Sequence, residues 1–444
     1  MHEIEFFAFL ESGYPRIPYA GQRPSKAVYI DLPNSNYDPV EGQRAIETQL
    51  QMLARMEDLG FDGVSFSEQH NGPIGLGPNA MLAAGWLASH TDRVKIWANG
   101  PLMNAYQTPV RLAEEIAWVD TVSRGRLMVG LPMGLGAQYH SLNINPALAR
   151  ERHAEGHDLL VKALTEPGPF TWRGKHFNHN YVNIWPRPAH PIDFVLPGGG
   201  SIETLELAAK RRSTYQTVLN YRPAMIAIID KFRSLCREQG YEADPKQVAT
   251  VVEVHVAETD AIARQESEAS ILWNYQNYFQ HPEHEAFPAG YSTERSIRSI
   301  RKQGFAVDTK KMSFEDLRKH NWIVAGSPET VIEGLEQLID DTGTGRILLN
   351  FSTGAKPRWL IEKTAGLFAE QVLPHFRQKA GHVVDTTRPG FGTAAEYAVR
   401  RNANSPNPTI VREDYLRDVH RDRWDPEGAK IEPWREPAPA PVGR

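Results

Sequence analysis

The sequence predicts a single (β/α)8 barrel, and three observations lead there. Apolar strand-like runs alternate with helical patterns along most of the chain, and that alternation builds a parallel sheet. About eight such strands occur with no clear break between them, which favours a closed barrel over an open sheet. The 444 residues also suit a barrel, which takes roughly 250 to 400 residues when it carries insertions.

The elements follow in order. EIEFFAFL (3–10) reads as the first strand, and residues 11–40, rich in Pro, Gly, Tyr and Asn, read as a long loop. Ile46, Leu50, Leu53 and Met56 share a helical face over 41–59, and Gly60 stops it. FDGVSFS (61–67) is the next strand. NAMLAAGWLASH (79–90) is helical, RVKIWANG (93–100) a strand, PVRLAEEIAWVDTVS (109–123) a helix and RLMVGLP (126–132) a strand. A helix over 147–164 and a hairpin over 170–186 precede the strand DFVLP (193–197) and the helix SIETLELAAKR (201–211). Strand 214–219, helix 223–239, strand 247–258 and a helix from Asp260 continue the pattern. HNWIVAG (320–326) is a short apolar piece. Ser327 caps and Pro328 opens the helix 327–343, RILLNF (346–351) is a strand, and 357–376 is a closing helix. Residues 1–378 thus form one barrel domain. Residues 277–319 interrupt it and read as a lid. Residues 379–444 form an extension whose Tyr397, Tyr415, Trp424 and Trp434 suit an arm on a neighbouring subunit, against the alternative of a disordered tail.

Composition narrows the function. The net charge of -5 argues against a nucleic-acid binder. The single cysteine, Cys236, excludes an intrachain disulfide and a cysteine-built metal site. The start of the chain lacks a basic, then apolar, signal segment, and no run of 18 apolar residues occurs, so a cytoplasmic location is expected.

In a barrel the site lies at the C-terminal strand ends. Glu68, Gln69 and His70 close the strand FDGVSFS in such a place. PGGGSIETLELAAKR (197–211) is the most informative stretch. Three glycines let backbone approach a ligand, and the helix start offers unpaired N–H groups for an anion. Ser201 and Thr204, three apart, can both face it. The stretch fits a cradle for one phosphate, as on FMN; a plain glycine turn with a serine cap remains the alternative. GLPMGLG (130–136) is a second glycine-rich strand exit. His153 and His157 have metal-compatible spacing but no accompanying carboxylate motif, so the segment RERHAEGHD reads as a surface face. His176, His179, His281 and His284 read as structural or solvated. No G-x-S-x-G elbow is present.

Four stretches in order resemble the bacterial luciferase-like flavin-dependent oxidoreductases over about residues 3–376. They are FDGVSFSEQHNGPIGLGPNAMLAA, PVRLAEEIAWVDTVSRGRLMVGLPMGLG, PGGGSIETLELAAKR and VAGSPETVIEGLEQL with its closing LPHF. The resemblance implies a barrel with FMN, or the deazaflavin F420, at its C-terminal face. It implies that Gly199, Gly200, Ser201 and Thr204 hold the phosphate. The E-H-H strand end of the family stands here as Glu68-Gln69-His70, with His70 beside the reacting face of the flavin and His70 and Glu68 as the catalytic residues. Met133 stands where luciferase carries a phosphate-contacting arginine. The bulge beneath the flavin ring, which in the family contains a cis peptide, maps to Asn99, Gly100 and Pro101. A cis Gly100–Pro101 bond is expected there, a trans Gly-Pro turn being the alternative. The implied activity is a two-component monooxygenase. Reduced FMN from a separate flavin reductase meets O2, and the resulting C4a-peroxyflavin oxygenates a small organic substrate. The alternatives are F420-dependent hydride transfer and a non-catalytic flavin binder. No lysine or arginine lies in GLPMGLG or PGGGS, which favours FMN. A homo-oligomer, dimer or tetramer, is expected, and no metal.

Overall fold

The structure is a computed structural model. It describes residues 2–11, 13–14, 32–218, 220–277, 287–302, 311–320, 322–352 and 356–381. Eight parallel strands close into the barrel: β1 (Glu5–Phe9), β2 (Gly63–Ser67), β3 (Lys95–Asn99), β4 (Leu127–Gly130), β7 (Asp193–Gly198), β8 (Thr214–Thr217), β9 (Val248–Val256) and β11 (Arg346–Asn350). The hairpin β5 (Phe170–Arg173) and β6 (Asn178–Val182) stands apart from it. The helices are α1 (Pro39–Arg55), α2 (Ala80–His90), α3 (Pro109–Ser123), α4 (Gly136–Ser141), α5 (Pro146–Thr165), α6 (Ile202–Arg211), α7 (Arg222–Glu238), α8 (Asp260–Asn277), α9 (Glu294–Lys302), α10 (Phe314–Lys319), α11 (Pro328–Thr342), α12 (Arg358–Leu367) and α13 (Leu373–Lys379). The expected barrel is present, and α11 has the expected Ser327 cap and leading proline. The closing helix differs from the expectation: a π-helical turn at Phe368–Val372 separates α12 from α13. Pro374 cannot donate a backbone bond to the preceding turn, and the helix widens just before it.

One seam in the wall departs from a simple barrel. β8 is short and pairs only with Val248 and Ala249 of β9. Higher up, the same edge of β9 is taken by β10 (Ile323–Gly326), paired from Glu253 to Val256. Glu253 faces Asn350 of β11 on the other edge, so β10 lies on the β8 side. The wall is thereby continued upward by a segment that the sequence marks only as a short apolar piece.

Alternation along the strands sorts side chains between lumen and helix layer. Phe6, Ala8, Val64, Ile96 and Leu349 join the main core under the helices. Phe7, Phe9, Trp97, Met128, Val195, Ala249 and Leu348 form a dry layer across the lumen. Phe7 and Trp97 meet edge to face at 5.1 Å. Below this layer, at the N-terminal mouth, Glu5 binds Lys95 at 2.8 Å, Arg346 at 3.0 Å and Lys246 at 3.0 Å. Arg346 also reaches Asp193 at 2.7 Å.

His153 and His157 require a correction. Both are buried, on the face of α5 that packs against the barrel, and not on a surface face. The ring of His153 lies 3.1 Å from the Leu131 carbonyl, and burial pushes its pKa down to about 4. His157 sits against Phe194, ring centroids 5.4 Å apart. The helix faces the β4 exit, so the short polar pattern of the sequence conceals two neutral core imidazoles. His281 and His284 and the extension beyond residue 381 lie outside the described residues, as do 12, 15–31, 278–286 and 303–310 within the long loop and the expected lid. Among the described residues no helix is long and apolar enough to cross a membrane.

Candidate active site

The polar side chains of the C-terminal mouth begin with the strand that opens the chain. Glu11 lies two residues beyond Phe9 and continues the lumen-facing stripe Glu5, Phe7, Phe9. Its backbone N–H donates to Ser352 Oγ at 2.7 Å. Its carboxyl accepts from Ser67 Oγ at 2.6 and 2.7 Å, and Ser67 accepts in turn from Gln69 Nε2 at 2.9 Å. The loop after β2 covers it: a methyl group on Gly75 would stand 3.3 Å from Glu11 Oε2. Burial pushes its pKa up to about 7, against the pull of these two hydrogen-bonding neighbours. A carboxyl group that keeps a proton near neutrality is suited to acid–base work.

Glu68 and His70 come together at the exit of β2. His70 Nε2 lies 3.1 Å from Glu68 Oε1, with the two side chains 14% and 4% exposed, so only the imidazole reaches the mouth. Glu68 has further partners. Its Oε2 accepts from Ala80 N at 3.1 Å, the first residue of α2, and Oε1 accepts from Leu102 N at 3.0 Å. The carboxylate therefore ties β2 to the start of α2 and to the loop after β3, and orients His70 from a fixed position. This makes Glu68 a positioning group.

At the exit of β3, Gly100 has φ 141 and Pro101 follows it. The cis peptides among the described residues are Gly168–Pro169 and Trp185–Pro186, so the expected cis Gly100–Pro101 bond is absent and the bond is trans. The chain bends here by another means. A side chain at Gly100 would lie 2.4 Å from the Pro132 ring, and only glycine readily holds that positive φ. Asn99 lies over the backbone of Gly130, where a Cβ would meet its Oδ1 at 2.8 Å. Met133 belongs to an apolar cluster with Leu102, Tyr139 and Tyr291, and its carbonyl accepts from Tyr139 Oη at 2.5 Å.

The glycine turn after β7 is open: a Cβ on Gly199 would meet nothing within 4 Å. Gly200 has φ 98, and its N–H donates to Tyr215 Oη at 3.1 Å. The expected pair of free hydroxyls is only half present. Ser201 does not cap α6; its Oγ donates to Glu203 Oε2 at 2.8 Å and lies 3.1 Å from Ser296 Oγ. Glu203 also accepts from Thr293 at 2.6 Å and Ser296 at 2.5 Å. Despite partial burial, these hydroxyl donors and its own backbone N–H hold Glu203 down to about 2. Thr204 is half-exposed one turn into α6. The start of α6 thus already carries an anion belonging to the chain. The insertion reaches the second glycine exit too, where Tyr291 Oη donates to the Gly134 carbonyl at 2.7 Å.

Sequence reasoning missed Glu11, Glu203 and a polar group on the β8–β9–β11 side containing Asn220, Glu253, Trp322, Asn350 and Lys356. Only Glu11 left a usable signal, the two-residue period from Glu5. Lys356 is fully buried behind this side, and its Nζ has no hydrogen-bond partner among the described residues. Burial lowers its pKa to about 8, while the charges of Glu253 and Glu266 oppose that shift.

Comparison with known proteins accords with this arrangement. The model of the luciferase-like monooxygenase family matches residues 27–345. The chain is 26% identical over 297 residues to 2,5-diketocamphane 1,2-monooxygenase 2 of Pseudomonas putida, covering 61% of this chain and 78% of that protein. Among solved structures, it superposes on the oxygenating constituent of 3,6-diketocamphane monooxygenase of Pseudomonas putida, in complex with FMN. The TM-score is 0.63 at 18% identity, over 84% of this chain and 98% of that one. It also superposes on an F420-dependent secondary alcohol dehydrogenase with a TM-score of 0.59 at 16% identity, over 84% and 99%. The barrel, the polar strand exits at its C-terminal mouth and the family match lead to one conclusion: this chain belongs to the luciferase-like monooxygenase family of flavin-dependent oxidoreductases.

Proposed function

We propose that the chain is the oxygenating component of a two-component, FMN-dependent monooxygenase acting on a small organic molecule. The observation that carries this reading is the open backbone at Gly199, at the exit of a barrel strand and the entrance of a helix. Such a turn suits the phosphate end of a flavin. The residues fit the group with one exchange. Ser201 and Thr204 would hold the phosphate, and the Ser201 hydroxyl would pass to it from Glu203. Asn99, Gly100, Pro101 and Met133 would border the ring. Bound reduced flavin supplies O2 activation and oxygen transfer; a separate reductase supplies the reduced flavin.

The chain's own groups do the rest. His70, oriented by Glu68, presents an imidazole at the mouth. Glu11 keeps a proton on its carboxyl near neutral pH. Tyr291 and the Thr293–Ser296 turn close over both glycine exits, which helps to keep water from the reacting centre. The relative from Pseudomonas putida acts on a diketocamphane, which favours a compact cyclic substrate.

The test is anaerobic titration of the purified chain with reduced FMN and, separately, with reduced F420, followed by exposure to labelled O2 with a panel of cyclic organic compounds. Saturable FMN binding and one labelled oxygen atom in the product are expected. Binding of F420 alone, with hydride transfer and no label, would replace this reading with the dehydrogenase one. Flavin binding with hydrogen peroxide as the only product across the panel would reduce the chain to a flavin binder.

A further inference from the structure

The seam between β8 and β10 leaves a small cavity of about 30 Å³ at the C-terminal mouth, more than the roughly 10–15 Å³ that a single small polar group needs. Asn220, just beyond the short β8, lines one side. Glu253 of β9, Asn350 of β11 and Trp322, which leads into β10, line the others, with Tyr275 of α8 above. The walls are fixed. Trp322 N donates to the Leu317 carbonyl at 3.0 Å, and Tyr275 and Trp322 meet edge to face at 5.7 Å. Asn350 Oδ1 accepts from Ser352 N at 3.2 Å, and Ser352 Oγ accepts from Glu11 N at 2.7 Å. Ser352 therefore links Asn350 at this cavity to the backbone of Glu11.

Apart from the Glu253 carboxylate, two polar atoms of the lining residues are buried and unsatisfied among the described residues: Asn220 Oδ1, an acceptor, and Trp322 Nε1, a donor. Asn220 is 5% exposed. Buried polar atoms are almost always bonded, so a pair left open on one cavity points to a guest. The carboxylate of Glu253 does not ask for a cation. The Tyr275 hydroxyl bonds it, and the buried Lys356 ammonium lies close enough to act on its charge. A ketone would satisfy Trp322 and leave Asn220 open. An ammonium would satisfy Asn220 and leave Trp322 open. A hydroxyl donates to the one and accepts from the other, and the cavity has room for it.

We propose that this cavity is the subsite for a hydroxyl group on the substrate, with Asn220 and Trp322 as its specificity-determining residues. The proposal rests on the monooxygenase reading for its place in a reaction, but its test does not. Binding to the full chain is measured without flavin, by saturation-transfer NMR or calorimetry, for cyclohexanol against cyclohexanone and for borneol against camphor. Sites built to bond a hydroxyl discriminate against partners that leave their polar groups unpaired. Each alcohol is expected to bind about tenfold tighter than its ketone, as one unmade hydrogen bond of ordinary strength implies. The preference should vanish in Trp322→Phe and in Asn220→Leu. Equal binding of alcohol and ketone by the unaltered chain, tighter binding of the ketones, absence of binding by all four, or a preference retained in both variants would each overturn the proposal. Because binding by the unaltered chain can refute the subsite by itself, a variant that fails to fold does not protect it. Alcohol preference without FMN turnover would leave the subsite standing and remove the monooxygenase reading; turnover without alcohol preference would do the reverse.

Discussion

Glu5 and Glu11 lie on the same lumen-facing stripe of one segment, six residues apart, and their environments push them in opposite directions. Glu5, at the N-terminal mouth, is surrounded by Lys95, Lys246 and Arg346, and its pKa falls to about 2. Glu11, at the C-terminal mouth, is half-buried with Ser67 and Gln69 to bond it and no cation beside it among the described residues, and burial raises its pKa to about 7. The first mouth is a closed set of paired charges, which is how a structural end is finished. The second retains a protonated acid, an exposed imidazole edge and unsatisfied donors and acceptors, and it holds them in place against the cost of burial. A single strand thus separates the end that holds the barrel together from the end that carries the candidate site.

The largest effect should come from Glu11→Gln, because the two mouths contribute to stability with opposite dependence on pH. A carboxyl raised from 4.5 to about 7 binds more protons folded than unfolded, so its contribution is full below 4.5 and is lost as pH rises through 7. The variant should therefore gain on the parent between those limits, by about 3 kcal/mol at pH 8. Urea midpoints for both proteins at pH 5 and pH 8 check this, and a constant difference between them would show that Glu11 is ionised in the fold.

His70→Ala comes next. Product formation should fall about a hundredfold, the ordinary size of a positioned acid–base contribution, while the dissociation constant for reduced FMN should stay within a factor of three. Parallel measurement of product and peroxide decides the matter. Unchanged coupling would return the exit of β2 to a purely structural role.

Glu5→Gln should cost about 2 kcal/mol at pH 7, a value below the usual loss for a broken buried pair because Lys95 and Lys246 retain contact with water. Its sign is the mirror of the Glu11 case. A carboxyl lowered from 4.5 to about 2 stabilises the fold above 4.5, and that contribution disappears as pH falls through 2. The parent and the variant should therefore converge in acid, as thermal melts from pH 7 to pH 3 would reveal.

The smallest change is expected for Glu203→Ala. Removing an internal anion from the start of α6 frees Ser201 and lifts a repulsion, so FMN should bind about tenfold tighter. Weaker binding in the variant would mean that Glu203 organises the phosphate site and does not compete for it.

The barrel was legible because strands and helices repeat with distinct periods, and because the cap at Ser327 and Pro328 is a local signal. The exits of β2 and β7 were legible as site candidates for the same reason: once the strands are placed, their C-terminal ends follow. What could not be read was partnership. Ser201 and Thr204 have the spacing of an anion cradle, but the sequence does not show that Glu203, in the same turn, is fastened there by Thr293 and Ser296 some ninety residues on. The bend after β3 was anticipated, but its origin was not, because the packing of Gly100 on Pro132 joins two strands. His153 and His157 look polar in a charged segment, and only the orientation of α5 reveals them as buried. Trp322 and Asn220 fall in short segments whose roles depend on the split pairing along β9, a tertiary event without a local pattern.

The dry layer of Phe7, Trp97, Met128, Val195, Ala249 and Leu348 has a further consequence: it insulates. Its packed aliphatic and aromatic faces hold one polar atom, the Trp97 indole nitrogen, with the buried Ser65, bonded to the Trp97 carbonyl, and Gln216 beside them, so it sets the paired charges of one mouth apart from the polar groups of the other. Changes at one end should then be additive with changes at the other, and the Glu5→Gln, Glu11→Gln double variant should display the sum of the two single effects. A barrel divided in this way can exchange its upper residues for a new substrate while the ionic plug beneath goes on holding the strands in register.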